Sequence, residues 1–182
     1  MTTSLLAEWD NFYVITGSSA AGLTGLTFVV IALSADAKRV SMDGLRAYVT
    51  PTIVHFGAVL ALAAYLSMPH QGTLSLSLGF GAAGAAGLAY IARVGLKIRR
   101  IASDYAPIHE DWIWNVVLPA MVYGTSVVLA FLIWRLPEAS MYGAAAVSLL
   151  LMFIGIHNAW DIAVWNTVRN RNDSTSESKP SS

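Results

Sequence analysis

The sequence predicts an all-α protein: an integral membrane bundle of five transmembrane helices, N-terminus outside and C-terminus cytoplasmic. Three observations predict it. Of 182 residues, 55% are hydrophobic and 12% charged, too few charges to clothe a soluble domain of this size. Five apolar runs, at about 12–35, 46–68, 72–95, 113–134 and 140–165, are each long enough to cross ~30 Å of hydrocarbon as a helix. Alternate connections then sort ten of the eleven Lys and Arg to one side, Lys38, Arg39, Arg46, Arg93, Lys97, Arg99, Arg100, Arg169, Arg171 and Lys179, and leave Arg135 alone on the other. The basic side is the cytoplasmic one. A lipid-facing barrel would need alternating strands, and these are not seen.

Span one carries no basic residue before it and its apolar stretch exceeds a signal h-region, so it reads as an uncleaved, N-out anchor. Span two contains Pro51 and His55 and ends in "MPHQG", so short that spans two and three form a tight hairpin. Span three contains the run "GFGAAGAAG" from Gly79. Because that run is apolar and follows no strand, it is not a nucleotide-binding loop. The loop at about 96–112, which includes Arg99 and Glu110, is the longest connection, and "HED" at 109–111 sets acids at the start of span four, where a helix dipole favours them. Span four contains Pro119 and Tyr123. The turn "RLPEAS" leads into span five, which closes on "GIHNAWDIAVWN". The domain thus covers 1–169, and the Ser-rich polar stretch 170–182 is expected to be a disordered cytoplasmic tail. The six Trp fall near span ends, as in interfacial belts.

Zero Cys excludes disulfides and thiolate chemistry, and no nucleophile with a plausible base is found, so an enzyme is not expected. Two features stand out instead. Small residues recur every four positions as Gly17, Ala21 and Gly25 in span one and as Gly79, Ala83 and Gly87 in span three, a pattern that lets helix backbones approach closely. Such stripes serve packing within the chain or a dimerisation face. The second feature is polar. His157 and Asp161 share a helix face with Asn158 beside them, Asp161 and His157 lying roughly 12 and 18 Å inward from Arg169 at ~1.5 Å per residue. His55 lies about 13 Å in from Arg46 on the same scale.

His55, Tyr123, His157, Asn158 and Asp161 therefore form a candidate polar layer in the inner half of the bundle. Intramembrane polar groups face the interior and find partners, so the layer is either interhelical glue or a site. Haem would use His55 and His157, the two membrane-embedded His. A transition metal would add Asp161, and proton or ion transport would use Asp161 as the titrating carboxylate. The proline pairs Pro51/Pro69 and Pro119/Pro137 are equally spaced, and aligning them sets His55 opposite Tyr123, a faint echo of a hairpin duplication.

"WDNFYVITGSSAAGLTGLTFVVIALS" from Trp9, with its Leu-Thr-Gly-Leu-x-Phe-Val motif, and "NAW" at 158–160 resemble a widespread bacterial family of small polytopic inner-membrane proteins, often labelled modulators of the FtsH protease. Asp161 departs from that family's pattern, and the family supplies no catalytic residues. The resemblance implies a non-enzymatic protein of the bacterial cytoplasmic (inner) membrane that binds other membrane proteins, or itself, and modulates a membrane-bound protease. Its contacts would run through the small-residue stripes and the Arg99–Glu110 loop, with no cofactor and no nucleic acid. A small transporter or a haem or metal redox protein using the polar layer is the alternative.

Overall fold

The computed structural model describes residues 2–35, 42–101 and 112–177, and the side chains of 5–32, 50–99, 112–161, 163 and 164. Among these residues all regular structure is helical. The helices are α1 (Thr2–Ala35), α2 (Met42–Leu66), α3 (Thr73–Ile101), α4 (Leu118–Leu132), entered through a π turn at Ile113–Val117, and α5 (Pro137–Glu177). Four stretches, Leu5–Ala32, Thr73–Arg99, Ile113–Leu132 and Pro137–Asp161, are long and apolar enough to cross a membrane. The apolar part of α2 that is described, Thr50–Leu66, is shorter.

Several helices overrun the stretches that hydropathy marks out. α1 starts at Thr2 rather than 12, α3 reaches Ile101 rather than 95, and α5 runs past Asn170 to Glu177, into the stretch expected to be a tail. Hydropathy reports the part of a helix that suits lipid, whereas a nucleated helix gains a hydrogen bond for each further residue it fixes and continues past that part. Residues 102–111, which include Glu110 and "HED", lie outside the described residues, as do 36–41 and 178–182.

Two tight turns define one end of the bundle, the hairpin end. Between α2 and α3, the Ser67 N–H donates to the Ala63 carbonyl at 3.0 Å and the Met68 N–H to that of Tyr65 at 3.1 Å. The Tyr65 hydroxyl donates to the Ser75 carbonyl at 2.7 Å, and the Gln71 side chain donates back to the Tyr65 carbonyl, so polar groups of the turn are satisfied locally. Between α4 and α5, Arg135 and Leu136 both donate to the Leu132 carbonyl, at 2.9 and 2.8 Å. Pro137 then opens α5, where its missing N–H costs nothing. At the other end the Arg99 guanidinium lies 5.9 Å above the Trp112 ring, drawing the end of α3 to the start of the π turn.

Packing is uneven around the bundle. α3 rests mainly on α4, α1 on α2 and α2 on α5, whereas α2 and α3 touch little despite their short turn. Glycines decide where the close contacts fall. A Cβ on Gly84 would meet Val127 and the Tyr123 carbonyl within 2.8 Å, one on Gly143 would meet Leu129 at 2.6 Å, and one on Gly155 would meet the Phe56 ring at 2.5 Å. Each marks a close approach between neighbouring helices, the device that replaces the hydrophobic effect where the solvent is itself apolar. Hydroxyls tie helices as well: Ser126 donates to the Phe80 carbonyl at 3.0 Å and Ser77 to that of Ala130 at 2.6 Å, both joining α3 to α4.

The α2–α3 turn contains a strained residue. His70 has φ 60°, in the left-handed region, which costs an L-residue with a Cβ roughly 1–2 kcal/mol. His70→Gly is expected to raise unfolding stability in detergent by about 0.5–1 kcal/mol, the relief being partly offset by the greater entropy of an unfolded glycine. A denaturation midpoint that stays put or falls would show that the His70 side chain contributes more than its backbone costs.

Candidate functional site

His55 sits on α2 and Tyr123 on α4, two helices that otherwise barely meet. Their side chains bridge the gap: His55 Nδ1 is 3.1 Å from the Tyr123 hydroxyl, and both residues are buried, His55 at 0% exposure. Gly87 on α3 makes room for the tyrosine, since a Cβ there would fall 2.1 Å from Tyr123 Cδ1. The ring therefore occupies the space that a Cβ at Gly87 would need, and its hydroxyl reaches across to α2. His55 Nε2 has no protein partner. If the tyrosine donates to Nδ1, Nε2 carries a buried N–H. If Nδ1 donates, Nε2 is a bare lone pair and the tyrosine proton needs another acceptor.

A second group gathers at the end opposite the hairpin turns. Trp114, in the π turn, stacks on His157 of α5 with ring centroids 3.6 Å apart and planes 8° from parallel. The turn has a local cause. Leu118 donates its N–H back to the Ile113 carbonyl, and Pro119 has no N–H with which to complete the ordinary helical pattern to Asn115. The extra residue in that turn helps to set the direction of Trp114. His157 Nδ1 lies 3.4 Å from Asp161 Oδ2, near enough for ion-pair attraction when the imidazole is protonated. The alignment is not that of a hydrogen bond, and Nδ1 has no hydrogen-bond partner. The Asp161 side chain is 63% exposed, so the pair sits at the edge of the bundle. Asn158 is buried, and its Nδ2 likewise lacks a protein partner.

The five polar residues thus form a buried His55–Tyr123 bridge, a half-exposed Trp114–His157–Asp161 stack, and Asn158 buried on its own. Among the described residues no three His, Cys, Asp or Glu side chains come together as a metal-ligand set, so His55, His157 and Asp161 do not present the triad that a transition metal would use. The two imidazoles engage different partners, Tyr123 and Trp114. The bridge supplies a buried, hydrogen-bonding pair, and the stack supplies a ring face and a carboxylate near the surface.

The small-residue stripes divide in the same manner. A Cβ on Gly17 would meet Ala63 of α2 at 3.0 Å, one on Gly79 would meet the Tyr65 ring at 2.2 Å, and Gly87 cradles Tyr123. These three glycines face inward. Ala83 is half-buried, while Ala21 and Gly25 are exposed and Gly25 has open space around it.

Sequence reasoning missed Trp114 and three glycines. Gly84 was visible in the run "GFGAAGAAG", but Gly143 and Gly155 are isolated, and Trp114 reads as one more interfacial aromatic until α4 is docked on α5. No protein-family model, curated protein or solved structure matches the chain.

Two substitutions test the bridge. Gly87→Ala is expected to destabilise the fold by about 1–3 kcal/mol, because the methyl group displaces the Tyr123 ring, whereas Gly57→Ala, with nothing within 4 Å, is expected to be close to neutral. Tyr123→Phe should cost about 1 kcal/mol through the lost hydrogen bond, and much less in a His55→Leu background. Equal costs in both backgrounds, read from unfolding in detergent, would mean that the 3.1 Å contact contributes nothing.

Proposed function

We propose that the chain is a non-enzymatic, five-span protein of a bacterial cytoplasmic membrane, N-terminus outside and C-terminus inside, that binds other membrane proteins sideways through α1. The observation that carries this reading is the uncovered face of α1. Ser18, Ala21, Gly22 and Gly25 are exposed along it, and neither Gly22 nor Gly25 has any atom within 4 Å of where a Cβ would stand. On α3, by contrast, Gly84 and Gly87, also three residues apart, are filled by Val127 and Tyr123 of α4. A helix of similar curvature docking here would gain backbone-to-backbone contact and would displace lipid without losing hydrophobic burial. Arg93, Lys97 and Arg99 at one end and Arg135 at the other support the orientation. The resemblance of the stretch from Trp9 makes a membrane-bound protease of the FtsH kind the first partner to try.

Gly22→Leu with Gly25→Leu separates this contact from folding. The open space around both positions predicts unfolding stability within about 0.5 kcal/mol of the parent, together with loss of partners captured by crosslinking in native membranes. Unchanged capture would remove α1 as the interface. A fall in stability would place these glycines in the bundle's own packing.

A further inference from the structure

Two polar groups inside the bundle, His55 Nε2 on α2 and Asn158 Nδ2 on α5, have no hydrogen-bond partner among the described residues. His55 is 0% exposed and Asn158 7%. Buried polar groups almost always find a partner, either in the protein or in ordered water. These two are placed to share one.

Asn158 faces the gap between α2 and α4. Two neighbours on its own helix fix that direction: a Cβ on Gly155 would meet the Phe56 ring of α2, and His157 stacks on Trp114, at the entry to α4. At about 100° per residue, Asn158 lies roughly 60° round the helix from Gly155 and roughly 100° from His157, on the arc between them. Val147, Leu151 and Ile154 are buried on the same arc. The gap that Asn158 faces is the one that the His55 and Tyr123 side chains bridge.

Depth agrees with direction. α2 ends at the hairpin end and α5 begins there, so the two helices run antiparallel. His55 and Asn158 both lie within one turn of the contact between Phe56 and Gly155, each on the side away from the hairpin end. Because side chains lean toward the N-terminus of their own helix, the His55 ring leans away from the hairpin end and the Asn158 amide leans toward it. The two converge without bonding directly.

Their chemistry selects what stands between them. Asn158 Nδ2 only donates, whereas His55 Nε2 donates or accepts according to which way the proton lies in the bond to Tyr123. A cation is repelled by the amide N–H. An anion suits only one proton arrangement, and the described basic side chains, Arg93, Lys97, Arg99 and Arg135, are all exposed and so do not balance its charge. Water accepts from Nδ2 and either accepts from or donates to Nε2, so it serves both arrangements.

We infer that one internal water binds between α2, α4 and α5, accepting from Asn158 Nδ2 and hydrogen-bonded to His55 Nε2. Tyr123, His55, the water and Asn158 then form one polar chain across three helices. This site is independent of the α1 surface proposed above, which involves Gly22 and Gly25 and is tested by different substitutions.

Magnetic resonance of the full, isotope-labelled chain in lipid nanodiscs tests it. Magnetisation transfer from water is read at carbon-bound protons, which do not exchange with solvent: Hε1 of His55 and the Hβ pair of Asn158. Transfer to both is expected to exceed, by several-fold, transfer to the methyl groups of Val147 and Leu151, which are buried on the same face of α5. Asn158→Leu should lower transfer to His55 several-fold while leaving the nitrogen shift of Nδ1, which reports the bond to Tyr123, in place. Transfer to His55 no stronger than to those methyl groups overturns the site, and transfer to His55 without transfer to Asn158 overturns the shared water. Unchanged transfer to His55 in the variant overturns it as well. Should Asn158→Leu fail to fold, the parent chain decides: water contact at both residues supports the site, and a through-bond nitrogen coupling between His55 and Asn158 shows a direct bond and overturns it.

Discussion

The interior depends on the absence of a side chain at Gly87. Because nothing projects there, the Tyr123 ring lies against the α3 backbone, and from that position its hydroxyl reaches His55 at 3.1 Å. His55 fixes the rotation of α2 about its axis, and the next residue, Phe56, then falls onto the bare backbone of Gly155 on α5. One missing methyl group thus sets a chain of contacts through four helices. In water such an arrangement would be one detail among many burial terms. In lipid, apolar surface gains little by leaving its surroundings, so close fit and a few interhelical hydrogen bonds must select the arrangement.

Backbone polar groups impose the complementary limit, since hydrocarbon offers them no partner. The chain meets it by closing hydrogen bonds locally. Thr16, Thr24, Thr27, Thr125, Ser140 and Ser148 each donate to a carbonyl one turn back, which lets hydroxyls sit in apolar helices without seeking distant acceptors. At Pro119 the adjustment is larger, and the π turn before it accommodates the missing donor. That adjustment has a consequence in the site, because it occurs at Trp114 and brings that ring flat against His157.

Fold class was legible because hydropathy is a one-dimensional property: runs of twenty or more apolar residues announce helices wherever those helices end up. The site was legible only as a list of residues. Depth counted along each helix placed His55 and His157 at similar levels, but depth says nothing of rotation. Rotation sends His55 to Tyr123 and His157 to Trp114. Spacing alone found the His157–Asp161 pair, since four residues along one helix need no tertiary information. The equal proline spacing that set His55 opposite Tyr123 selected two residues that do touch.

Glycine placement also explains why one side of the bundle is closed and the other open. Between α3 and α4, Gly84 and Gly87 both face a neighbour, and the helices meet along their length. Between α1 and α5 the facing residues include Leu23, Leu26, Val30 and Ile31 on α1 and Ile156 and Trp160 on α5, with the small Thr27, Ala159 and Ala163 among them, and an open cleft is left between the two helices. Meanwhile the glycines of α1 that could support close packing, Gly22 and Gly25, point elsewhere. A helix given small residues on one face and large ones on the next presents two different surfaces to the bilayer. The first suits another helix, and the second lines an open apolar cleft against α5.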